Sequence, residues 1–222
     1  MRVFESLQAV LIPKNPDPGV VSTSDYVTKH VTQFNMCGHA LPPDRVSSLA
    51  SSLPSLLSLK GLNLTDSNID SEAAVRLAPS IACFNSLESL YLSKNNMGPA
   101  GVAAIAPNLK GLTNLIFLEL NGNGFGSLGA VHLSGSLQYL INLEMLCLMD
   151  NGFGDAGISA LAEPLGKLIH LEVHHIQCIG HDHCFCLSGS IVKVTTCLCS
   201  QHVVTKCLCS LSKSNTHRIK LL

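Results

Sequence analysis

The sequence predicts an α/β solenoid: a horseshoe of stacked strand–helix repeats. Three observations carry that prediction. Four segments share one pattern: LKGLNLTDSNI, LESLYLSKNNM, LIFLELNGNGF and LEMLCLMDNGF. They begin at Leu59, Leu87, Leu115 and Leu143, 28 residues apart each time, and Leu171 falls on the next step. A fixed period of this length marks an array of supersecondary units. Within each period the apolar residues switch from alternation to three- and four-residue spacings, which reads as a strand followed by a helix.

Each repeat opens with L-x-x-L-x-L. In the copy that starts at Leu87, Leu90 and Leu92 alternate with Tyr91 and Ser93, so the strand has one apolar and one open face. Three residues after the second strand leucine stands an asparagine: Asn95, Asn123 or Asn151. An asparagine side chain can bond backbone groups left unpaired where the chain turns out of a strand. Stacked copies would line these residues up as a ladder. Ser67 holds the position in the copy that starts at Leu59, where a weaker rung is expected.

The second half of each repeat reads as helix. Val102, Ile105, Ala106, Leu109 and Leu112 recur at helical spacing, as do Val131, Leu133, Leu137 and Leu140, and then Ile158, Leu161, Leu165 and Leu168. Gly98, Gly126 and Gly154 free the turn before each helix. One strand and one helix cannot bury both apolar faces alone; stacked copies can, with strands inside and helices outside.

Counting back 28 residues from Leu59 reaches Val31, with Phe34 and Met36 at strand positions and His39 at the asparagine position. Asp44 is the expected cap of a helix through Val46, Leu49, Leu53 and Leu56. Five strands are therefore expected, in repeats starting near 31, 59, 87, 115 and 143, within a repeat domain spanning 25–171. A further step back fails, because Ser6 and Gln8 would take strand positions. Residues 1–24 read as an N-terminal segment and a proline-rich linker, with a short lead-in helix expected from Asp25 to His30. No polar capping repeat is recognisable at the start, which suggests a piece of a longer protein.

After Leu171 the leucine period is lost. Residues 172–222 form a Cys/His-rich segment holding seven of the ten cysteines, two of the pairs within C-L-C. Thiolate and imidazole suit zinc, but structural sites favour C-x-x-C knuckles. No metal is assigned. The segment is expected to be an irregular tail, or the product of alternative splicing or a faulty gene model.

The pattern L-x-x-L-x-L-x-x-N-x-[IMF]-G-x-x-G-x-x-x-L-A-x-x-L resembles the ribonuclease-inhibitor-like class of leucine-rich repeats. NOD-like receptors, Ran GTPase-activating proteins and tropomodulins also carry this class. The resemblance covers about residues 31 to 171. It implies a repeat region most like that of NOD-like receptors, with a regulatory or innate-immune role. A Ran-type GTPase-activating protein and a tropomodulin-like actin-end cap are the alternatives.

Composition narrows the rest. Net charge is −1, so no nucleic-acid or acidic-membrane partner is implied. No apolar run reaches the length of a membrane helix. The start, MRVFESLQAVLI, lacks the core and cleavage site of a signal peptide. Cys37, Cys83 and Cys147 read as isolated, small buried or strand residues of a reducing, cytoplasmic compartment. There is no G-x-x-x-x-G-K-[ST] phosphate loop; GNGFG at 122–126 is explained as a repeat turn. His132 and His170 are isolated at helix positions with no catalytic partner. The chain is read as non-enzymatic and without a cofactor, binding a protein partner on its concave strand face. Two open columns cross that face: Asn63, Tyr91, Glu119 and Cys147, then Thr65, Ser93, Asn121 and Met149. Lys60, Glu88, Ile116 and Glu144 border them, and Phe117 and Met145 add large side chains. Aromatic residues and methionine are enriched in interface cores. Tyr91, Glu119 and Met149 are the expected contact centre, for a partner with a basic rim around an apolar anchor.

Overall fold

The computed structural model describes residues 31–171; the expected linker, lead-in helix and tail lie outside the described residues. The strands are short: β1 (Gln33–Asn35), β2 (Gly61–Asn63), β3 (Ser89–Tyr91), β4 (Phe117–Glu119) and β5 (Met145–Cys147). Helices alternate with them: α1 (Pro43–Ser52), α2 (Ser71–Ile81), α3 (Gly98–Leu109), α4 (Gly126–Leu137) and α5 (Gly154–Gly166). The strands form one parallel sheet in sequential order. Every pairing joins residues one period apart, from Phe34–Leu62 through Leu62–Leu90 and Leu90–Leu118 to Leu118–Leu146. Each helix packs on the next. The molecule is a leucine-rich repeat solenoid.

A single apolar core runs between sheet and helices. The leading leucines Leu59, Leu87, Leu115 and Leu143 and the central strand leucines are buried to 1% exposure or less. Phe125 and Phe153 are fully buried beneath the turns, their ring centroids 6.4 Å apart. The helices also touch through glycine. A Cβ on Gly129 would meet Val102 Cγ1 at 2.9 Å, and one on Gly157 would meet Ala130 Cβ at 3.0 Å. Gly98, Gly126 and Gly154 have φ of +58°, +62° and +60°, which only glycine adopts without strain.

Several expectations are corrected. Asp44 lies in the first turn of α1, whose N-cap is Pro42. The side-chain cap is Asp70, which accepts a bond from the Ala73 N–H at 2.8 Å at the start of α2. Val131 is 53% exposed. Helix α4 is apolar on nearly all sides, so its inward face could not be chosen from spacing, and Leu133 and Leu137 take it. Cys37 and Cys83 are exposed rather than buried. His132 lies in α4 as expected, but His170 lies in the turn that follows α5.

Candidate functional site

Because parallel strands repeat every 28 residues, equivalent side chains line up across the sheet. Asn63, Tyr91, Glu119 and Cys147 are successive partners in register, so the first column exists as a continuous row. Tyr91 and Glu119 are half-buried. A second row carries Ser89, Phe117 and Met145. The Tyr91 and Phe117 rings sit diagonally across β3 and β4 with centroids 4.8 Å apart, tilted by 34°. Rings of neighbouring strands thus form one aromatic ridge, with Glu119 beside it.

The third row is more engaged with the fold than its sequence suggested. Ser93 is buried, 1% exposed, and its hydroxyl oxygen accepts the Asn121 N–H at 2.9 Å. Asn121 Oδ1 in turn accepts the Met149 N–H at 2.7 Å, while its amide donates to Glu119 at 3.4 Å. Asn63 Oδ1 accepts the Thr65 N–H at 3.0 Å. Asn63 and Asn121 therefore shape the chain where it leaves the strand, and Met149 remains half-buried on the open side.

Cys147 departs from the expected column. It is buried, and burial, then the negative charge of Glu119, pushes its thiol up to about 11. It is no contact residue of an open face. Its spacing matches that of Tyr91, so the sequence pattern does not separate them.

Beneath the turns lie Asn95, Asn123 and Asn151, each buried. The Asn95 amide donates to Leu64 O, Leu92 O and Ser93 O, and its Oδ1 accepts the N–H groups of Ser67 and Ile69. Asn123 donates to Leu92 O, Leu120 O and Asn121 O. Its own Oδ1 has no partner among the described residues. Asn151 repeats the donor pattern and accepts the Asn123 N–H at 3.0 Å. Ser67 is buried in the same position, its hydroxyl donating to Met36 O at 3.0 Å.

Among the described residues no group of three or more His, Cys, Asp or Glu side chains is placed to hold a metal ion. Among them, too, no helix is long and apolar enough to cross a membrane.

A family model described as Leucine Rich repeat matches residues 85–106 and 139–162. No curated protein sequence matches the chain. Among solved structures, the tropomodulin C-terminal domain of Caenorhabditis elegans is similar over 65% of this chain and 89% of that one, at 13% identity and a TM-score of 0.52. A leiomodin-1 actin-binding site 2 structure is similar over 60% of this chain and 79% of that one, at 18% identity and a TM-score of 0.47. The tropomodulin likeness is one of fold.

Proposed function

We propose that this leucine-rich repeat chain is a non-enzymatic protein-interaction module, of the ribonuclease-inhibitor-like class, that binds its partner on the concave strand face. The observation that carries this reading is the half-buried ridge of Tyr91 and Phe117, ring centroids 4.8 Å apart, flanked by Met145, Met149 and Glu119. Rigid aromatic rings on a sheet offer a partner apolar area at little entropic cost. Glu119 favours a partner that brings basic groups around its apolar anchor. The setting we propose is cytoplasmic, in keeping with the free thiols of Cys37, Cys83 and Cys147. A NOD-like-receptor-type regulatory role is the particular reading drawn from the repeat pattern.

The test is affinity capture with the whole chain, identification of the captured protein, and binding of that protein to a Tyr91→Ala/Met149→Ala variant. Binding weakened about tenfold or more, with an unchanged unfolding midpoint, is the expected result. Full binding by that variant, lost instead in Leu128→Asp on the helical face, assigns the site to the convex side. Actin-end binding of the tropomodulin kind is the second reading, favoured by the shared fold. A pyrene-actin depolymerisation assay decides it: slowing by the purified chain supports it, and no effect removes it.

A further inference from the structure

A groove of about 550 Å³ runs along the rim where the chain enters the strands, outside the two columns of the strand face. Two rows line it. Lys60, Glu88, Ile116 and Glu144 stand just before the strands; Ser86, Asn114 and Asn142 stand two residues before the last three of these, and His170 continues that row one period on. The rows are fixed by backbone bonding that repeats at each step. The N–H groups of Glu88 and Ser89 share Lys60 O, those of Ile116 and Phe117 share Glu88 O, and those of Glu144 and Met145 share Ile116 O.

The polar groups left to a ligand are mostly acceptors. The Asn114 amide donates to Asn85 O at 2.8 Å, and the Asn142 amide donates to Thr113 O at 2.8 Å. Each bond commits one of the two N–H groups of its amide, and among the described residues neither Oδ1 accepts a hydrogen bond. Lys60, the groove's one lysine, is held by Glu88 at 2.9 Å. Glu144 has no ion pair among the described residues, and Ile116 beside it is 38% exposed. The surroundings have the same sign: residues 31–171 carry ten Asp and Glu against six Lys and Arg.

Strands lie about 4.8 Å apart, so the four strand positions from Lys60 to Glu144 span roughly 14 Å, the length of an extended segment of about four residues. We propose that this groove docks an extended segment of a protein partner, setting a lysine or arginine on Glu144 and the asparagine oxygens, and an apolar side chain on Ile116. Arginine fits best, since its planar fork supplies several donors at once. The inference rests on reading the chain as an interaction module, but not on the strand-face columns.

The test uses the whole chain and a fluorescein-labelled heptapeptide, Gly-Arg-Gly-Leu-Gly-Arg-Gly, which in extended form presents Arg and Leu on one face. Counterparts carry Gln or Glu in place of Arg. At physiological ionic strength, fluorescence anisotropy should show the Arg peptide bound more tightly than both. Glu144→Gln should weaken it about three- to fivefold, the scale of a partly exposed ion pair. Ile116→Ser should weaken it independently of charge. Glu163→Gln, the same charge change on α5, should leave it within about 1.5-fold. Equal binding of the Arg and Gln peptides overturns the proposal, as does an unchanged affinity in Glu144→Gln or an equal loss in Glu163→Gln. Loss of the peptide in Tyr91→Ala/Met149→Ala, with Glu144→Gln intact, moves the segment onto the strand face. That outcome rejects the groove while supporting the earlier reading. Self-association of the chain that Glu144→Gln abolishes would make the occupant a second copy, which also overturns it.

Discussion

The repeat beginning at Val31 and the repeat beginning at Leu87 share one frame and are held in different ways. In the first, the rung position is His39, which is exposed and whose side chain, among the described residues, bonds Cys37 O alone, at 3.0 Å. In the other, it is Asn95, buried and bonded to five backbone groups in two repeats. The direction of those bonds explains the difference. Each rung amide reaches the carbonyl 31 positions earlier, from Asn95 to Leu64, Asn123 to Leu92 and Asn151 to Leu120. An asparagine here joins a repeat to the one before it. The first described repeat has no described neighbour on that side, and its turn is left to exposed polar residues.

The largest way to break this comparison is in the core. Leu118→Ala empties a fully buried site between two neighbouring strands and should cost about 3–5 kcal/mol. Urea unfolding reads it as a lowered midpoint. Asn95→Ala comes next. It leaves the Ser67 and Ile69 N–H groups without their acceptor, and about 2–3 kcal/mol should be lost. Asn123→Ala should cost less, about 1–2 kcal/mol, because among the described residues its Oδ1 accepts no hydrogen bond. His39→Ala should fall within about 0.5 kcal/mol. Equal losses at residues 39 and 95 would remove the distinction between the two repeats.

Glycines sharpen the same contrast on the helical side. Gly129→Ala forces a Cβ against Phe125 Cβ at 2.6 Å and Val102 Cγ1 at 2.9 Å, and should destabilise by about 1–3 kcal/mol. Gly135→Ala, six residues on in the same helix, meets nothing within 4 Å and should stabilise by about 0.5–1 kcal/mol. The smallest effect is chemical. Cys147, with a thiol near 11, should resist maleimide at neutral pH, whereas exposed Cys37 and Cys83 react in the native state. The sign follows from the raised value: the folded chain keeps the proton that the unfolded chain releases near 9, so Cys147 opposes stability only as pH rises from about 9 towards 11. Peptide mass mapping after labelling reports each cysteine separately.

Most of the fold was legible because leucine spacing sets both strand register and core. The positions of Leu62, Leu90, Leu118 and Leu146 follow from counting alone, as do the buried rungs. The sequence was silent wherever two faces carried similar residues. Val131 and Leu133 are both apolar, and only the approach of α3 and α5 decides which one faces in. Cys147 and Tyr91 share a repeat position, and spacing alone does not tell that one is buried and the other half-buried. The tight contacts at Gly129 and Gly157 were missed, although a glycine three residues after Gly126 and Gly154 was their signal. The groove was half seen: its row from Lys60 to Glu144 was noted as a border, while the paired Asn114 and Asn142 went unread.

The central claim is that the strand face, rather than the helical face, receives the partner. It is tested most directly by one dissociation constant measured on three proteins with the captured partner: the wild-type chain, Tyr91→Ala/Met149→Ala, and Leu128→Ala/Val131→Ala on the exposed side of α4. A rise of about tenfold or more in the first variant, with the second within about twofold of wild type, is the predicted result. The reverse order, with both variants folded, contradicts it.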